Sequence, residues 1–185
     1  MPRGTGLVDL RRRQALVWLL AAAGAAEAAG DAQGYETTSW PALMPPGWNT
    51  QAVLGGLGLD SLDDGDPQAE EVLRKVRVLL DNAPPNPDLD NRRLRMWGYM
   101  VPLQFAKPRH VSEFLLVPYF GACIHAPAPP ANQVVHVTPA EPVSPEVRGT
   151  SAVWVASTLK VVRSDSDMGA ACYRMAGADV KPYKA

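Results

Sequence analysis

Cysteine is nearly missing from this chain: only Cys123 and Cys172 occur among 185 residues. Two cysteines exclude a disulfide-dense scaffold, and the paired Cys-x-x-Cys spacing of structural zinc modules is absent. An excess of either charge is missing too, since 18 basic and 19 acidic residues leave a formal net charge of −1. That balance lacks the basic stripe of a dedicated nucleic-acid binder. No P-loop and no G-x-G-x-x-G turn occurs, so nucleotide binding has no support. No G-x-S-x-G elbow frames any serine. What the chain has in plenty is proline, 18 residues, against an average usage of about 5%. With 46% hydrophobic residues it is neither wholly disordered nor a polytopic membrane protein, and its length suits one domain rich in irregular, stiffened backbone.

Residues 1–28 read as an address. Arg11, Arg12 and Arg13 precede an apolar run from Ala15 to Ala26, and Ala26-Glu27-Ala28 supplies small residues at the −3 and −1 positions of a cleavage site. This is the pattern of an export signal. The run falls short of the roughly 20 residues that span a bilayer, so no stable membrane anchor is expected after cleavage. Arg12-Arg13-Gln14-Ala15-Leu16 in a long polar leader resembles a twin-arginine signal, with the Sec route as the alternative. The expected location is the periplasm.

Beyond the signal, residues 29–66 form a segment rich in Gly, Pro and Asp. Within it, Ser39–Pro45 is expected to lie extended with its apolar side chains on the domain. Asp63, Asp64 and Asp66 lack the spacing of a calcium loop and suit an acidic helix entry. A helix is predicted over 67–82, with Pro67 in its first turn and Val72, Val76, Leu79 and Leu80 on one face. From residue 93 the pattern becomes one of strands: Leu94–Leu103, Val111–Val117, Gln133–Val137, Ala152–Val162 and Ala171–Met175. Val153, Val155, Ser157, Leu159 and Val161 share one face of the fourth. Residues 67–185 therefore read as one helix plus a mainly β (α+β) domain, a small, partly open OB-like barrel. The alternative is a two-layer α+β sandwich.

Three stretches stand out: Gly98-Tyr99-Met100-Val101-Pro102-Leu103, then Glu113 through His125, including Val117-Pro118-Tyr119-Phe120-Gly121-Ala122-Cys123, then a proline run leading to Asn132-Gln133. In this order they resemble the exported bacterial family called domain of unknown function 3299, over about residues 36–183. Ala128 interrupts the usual proline run. Membership would imply a periplasmic accessory protein, often encoded beside ABC-transporter components and in some cases tied to zinc starvation. No enzymatic activity comes with the name.

Cys123 and His125 are two apart, so on extended backbone both side chains point the same way and can converge on one ion. A thiolate with an imidazole suits zinc or copper, and a third ligand would have to come from His136, His110, Glu113 or an acidic residue of the N-terminal segment. Other readings stay open. Cys123 and Cys172 can pair in an oxidising compartment, a loop of roughly 50 residues contributing about 4 kcal/mol. Cys123 can also be a buried apolar residue, and a Cys–His nucleophile pair is the least favoured. The leading expectation is a non-enzymatic accessory protein that binds a metal ion or a transporter partner. The alternative is a structural module that docks an envelope protein through Tyr99, Tyr119, Phe120, Pro129 and Pro130. Nucleic acid is not expected as a partner.

Overall fold

The computed structural model describes residues 34–57, 67–107, 109–122, 129–148 and 152–184. The short strand β1 (Glu36–Thr37) runs parallel to the start of β2 (Arg93–Lys107). The long β2 then serves two partners in succession. Its first half, Arg93–Gly98, pairs antiparallel with β5 (Val153–Ser166), and its second half, from Tyr99 on, pairs with β3 (His110–Val117). β3 continues to β4 (Val135–Pro139), β4 lies parallel to β6 (Gly169–Pro182), and β6 returns to β5. The circuit β2–β3–β4–β6–β5–β2 thus closes a ring of hydrogen bonds. Register shifts interrupt it in β2 between Pro102 and Lys107, in β4 and in β5. Bulges of this kind bend and twist a strand, so the ring is an irregular barrel of the expected OB-like kind. The two-layer sandwich is not observed.

Alternation builds the interior. Leu94 and Met96 of β2, Phe114 and Leu116 of β3, Val135 and Val137 of β4, and Tyr173 and Met175 of β6 join Val153, Val155 and Leu159 in one core. The β5 face that carries Val153, Val155 and Leu159 is therefore the inner one. Unexpectedly, β3 is also buried on its other face. Leu115 and Val117 pack with Val101, Ala122, Val134 and Ala171 in a second cluster. The chain leaving β3 and the chain entering β4 cover the barrel wall there, and the groove described below opens beside it.

Two segments differ from expectation. Residues Trp40–Leu43 form a 3-10 turn rather than an extended stretch. Pro41 presets the backbone angle of its first turn, while Leu43 is wholly buried and the Trp40 indole N–H donates to the Trp97 carbonyl at 2.9 Å. The apolar anchoring is as predicted; the backbone conformation is not. A further short helix, α1 (Thr50–Leu54), is capped by the Asn49 side chain. The predicted helix appears as α2 (Pro67–Asp81), followed by the exposed turn-capping Asn82, whose amide donates to the Val78 carbonyl. Of its predicted face, Leu80 is buried and Val72 and Val76 half-buried, but Leu79 is exposed. The helix is held at its end by polar contact, the Arg163 guanidinium donating to the Asp81 carbonyl at 2.5 Å. One-turn α3 (Pro145–Arg148) links β4 to β5. Among the described residues no helix is long and apolar enough to cross a membrane.

Candidate functional site

His136 sits at the centre of a polar cluster on the barrel wall. Val135 and Val137 point into the core, so the pleat turns His136 to the opposite face, where it is 8% exposed. Its cross-strand partners are Leu115 in β3 and Arg174 in β6. Its Nδ1 lies 3.1 Å from the Ser164 hydroxyl of β5 and 3.3 Å from the Arg174 guanidinium. Its Nε2 lies 3.8 Å from the Glu113 carboxylate, too far for a hydrogen bond, and has no hydrogen-bond partner.

These contacts assign the tautomer. A guanidinium only donates, so the nitrogen facing Arg174 carries the lone pair and the proton of the neutral ring sits on Nε2. Burial and the charge of Arg174 push the His136 pKa below its ordinary value, against the smaller opposing pull of Glu113. The unfolded chain therefore takes up this proton first as pH falls below about 6.5. Stability is expected to fall from there down through the lower native pKa. In urea titrations at pH 7.5, 6.5 and 5.5, H136Q should show a smaller loss of midpoint than the unmodified chain; an unchanged slope would remove His136 from this role.

His136 and Glu113 line a groove of about 470 Å3. One wall is the bulged segment 102–104 of β2, and the other is the tip of the β5–β6 hairpin, Asp165 to Met168. Gly169 completes its turn with φ at 143°, a region open essentially to glycine.

A second feature lies on the outer face of β2 and β5. Trp97 stands opposite Trp154 in the ladder, and a row of rings runs Trp154–Tyr183–Trp97–Tyr99–Phe120, with centroid separations of 5.6, 5.0, 6.2 and 5.9 Å. The Arg95 guanidinium covers the Trp154 ring at 4.4 Å, and Arg93 covers Tyr35 at 4.5 Å. Arg92 is ion-paired with Glu36. Arg92, Arg93 and Arg95 are thus engaged with rings and a carboxylate.

Of the residues singled out from sequence, Cys123 and His125 lie outside the described residues, as do Asp63, Asp64 and Asp66. Among the described residues no three His, Cys, Asp or Glu side chains come together to hold a metal ion, so His136, His110 and Glu113 are not a ligand set by themselves. Cys172 is a buried free thiol that donates to the Ala83 carbonyl at 3.2 Å, and burial raises its pKa. The suggested docking surface is smaller than expected. Tyr119 and Phe120 are exposed, the latter by 76%, and Tyr99 is half-buried beneath Phe120. Pro129, however, is buried and Pro130 is half-buried at the start of the 3-10 turn Ala131–Gln133. The chain folds back onto the barrel here, with Asn132 donating to the Pro84 carbonyl and Gln133 to that of Trp40. Sequence reasoning missed Arg174, Ser164, Trp97, Trp154 and Tyr183. Only the cross-strand register brings them to their partners.

The strand circuit, its parallel β4–β6 pair and the groove over the outer wall define a small, irregular β-barrel of the OB-like class. Residues 40–182 match the family DUF3299, described as a protein of unknown function. The chain belongs to this family. It is also similar to the crystal structure of a DUF3299 family protein from Pseudomonas aeruginosa PAO1, with 32% sequence identity and a TM-score of 0.63, over 82% of this chain and 97% of that one. No curated protein matches it.

Proposed function

We propose that this protein is an exported, non-enzymatic accessory protein that docks onto an envelope partner, an ABC-transporter component in the first instance, through its aromatic row. The arginine-led leader and its small-residue cleavage site support export. The observation that carries the docking reading is Phe120, 76% exposed at the end of a row of five contacting rings. A large exposed ring continuous with half-buried aromatics is the composition of an interface centre rather than of ordinary surface.

The metal reading rests on Cys123 and His125 and on the family's link to zinc starvation. The donor chemistry of His136 speaks against it as the third ligand. The Arg174 guanidinium stands 3.3 Å from Nδ1, and its positive charge disfavours a second cation on the same ring.

The test is the affinity of the purified transporter's periplasmic face for the chain without its leader. F120A is expected to weaken binding by roughly tenfold or more, the size of a hot-spot loss, without altering the unfolding midpoint. C123S and H125A should bind as the parent does. Equal affinity for F120A would overturn the docking reading. Elemental analysis of untagged protein tests the other: near-stoichiometric zinc, lost in both C123S and H125A, would put the metal function first.

A further inference from the structure

Glu113 and His136 present an acceptor and a donor side by side at the floor of the groove. The Arg174 contact, 3.3 Å from Nδ1, places the ring proton on Nε2, and this N–H is buried and unpartnered, 3.8 Å from the Glu113 carboxylate, on a side chain that lines the groove and is 8% exposed. An orphaned buried donor is costly unless something completes it. What completes a donor and a carboxylate together is a group that accepts and donates from neighbouring atoms.

The walls narrow the choice. Glu113, Asp165 and Asp167 line the groove, against Arg163 ion-paired with Asp165 and Arg174 on the far side of the His136 ring. That balance repels phosphates and other anions. A cationic amine or guanidinium would meet the carboxylates but would also face the Nε2 proton, which it cannot accept. A hydroxyl both donates and accepts, so adjacent sugar hydroxyls satisfy both groups. Leu103 and Met168 offer apolar surface to the C–H face of a ring, and Gln104 and Ser166 add neutral polar groups at the rim. The volume, about 470 Å3, is in the range of small-ligand sites. Its placement agrees with the fold: in OB-type barrels, oligonucleotides and oligosaccharides lie on the second and third barrel strands between the first and last hairpin loops. Here β3 and β4 are those strands, and the β5–β6 hairpin is the last loop.

We infer that the groove between segment 102–104 and the β5–β6 hairpin is a neutral-saccharide site, in which Glu113 accepts from one ring hydroxyl and His136 Nε2–H donates to its neighbour. The site is separate from the aromatic row and does not depend on the docking reading.

The probes are maltotetraose, cellotetraose and chitotetraose, titrated into the 15N-labelled chain without its leader and followed at the backbone amide resonances of Gln104, Ser166 and Met168 as well as at the His136 side chain. At least one is expected to shift them saturably, with a Kd in the range of about 0.1–5 mM for so open a site. E113A should weaken that binding by roughly tenfold, as expected for loss of a charge-assisted hydrogen bond. H136F should abolish it, with the amide spectrum reporting whether the barrel is intact; F120A should leave it unchanged. No shift with any of the three at about ten times the upper Kd would overturn the proposal. So would binding of equal strength in E113A, or a saturable shift by an asparagine-containing peptide with none by the sugars.

Discussion

Replacing Tyr173 by phenylalanine should destabilise the domain by about 2–4 kcal/mol, because one buried hydroxyl holds two chain segments to the barrel. Tyr173 is wholly buried. Its hydroxyl donates to the Leu43 carbonyl at 2.5 Å and accepts from the Asn86 backbone N–H at 2.6 Å. The first belongs to the 3-10 turn ahead of the domain, and the second to the stretch between α2 and β2. Y173F keeps the ring but leaves both backbone groups without their partner, and an unmet buried group costs about 1–3 kcal/mol. At a typical m-value near 2 kcal/mol per molar, the urea midpoint should fall by about 1–2 M. A drop below about 0.3 M would mean that the hydroxyl is no clasp. Burial also pushes the Tyr173 pKa up to about 12, despite the Asn86 hydrogen bond. The unfolded chain therefore ionises first above pH 10, so the stability due to this group is full below about 10 and lost as pH rises to about 12. Y173F should show a shallower alkaline loss.

Gly98→Ala is expected to cost about 2–4 kcal/mol, from crowding alone. A Cβ at this position would lie 2.7 Å from Cζ2 of Trp40, 2.8 Å from the Val117 carbonyl oxygen and 3.0 Å from Cγ of Leu116. The indole can swing away, giving up its bond to Trp97. The carbonyl cannot, because Val117 is held in register with Tyr99 in the β2–β3 ladder. Equilibrium unfolding of G98A, W40A and the double variant measures the coupling between the two sites. The double variant should recover part, but not all, of the loss. Strict additivity would show that Trp40 is not what a side chain at 98 displaces. The glycine at the head of the Gly98–Leu103 motif is thus explained by close packing rather than by a turn.

Much of the architecture was legible because it is written locally. Alternation in β5 separated its two faces, of which Val153, Val155 and Leu159 turn inward while Lys160 and Val162 are exposed. The proline-led helix and the order of the five main strands followed from spacing and turn residues in the same way. Where local pattern misled, a distant contact had intervened. Ser39–Pro45 contains an extended-looking Trp-Pro, yet it winds into a 3-10 turn because Leu43 must reach Tyr173 and Trp40 must reach Trp97. Pro129 belongs to an apparently exposed proline run but is buried where the chain re-enters the barrel wall beside Ala131 and Asn132. Leu79 continues an apolar stripe but finds no partner on that side of α2.

By itself, the sequence determined the mainly β class of the domain and the motif that identifies the family. Each rests on residues adjacent in the chain or alternating along one strand, where backbone geometry alone places the side chains. Tertiary structure alone decided that the strands close into a ring, that a second cluster covers the outer side of β3, and that His136 meets Arg174, Ser164 and Glu113. The parallel β4–β6 register that sets His136 beside Arg174 joins residues 38 apart. Such a pairing is chosen by the burial of every side chain on both strands at once, and no short window of sequence contains that balance.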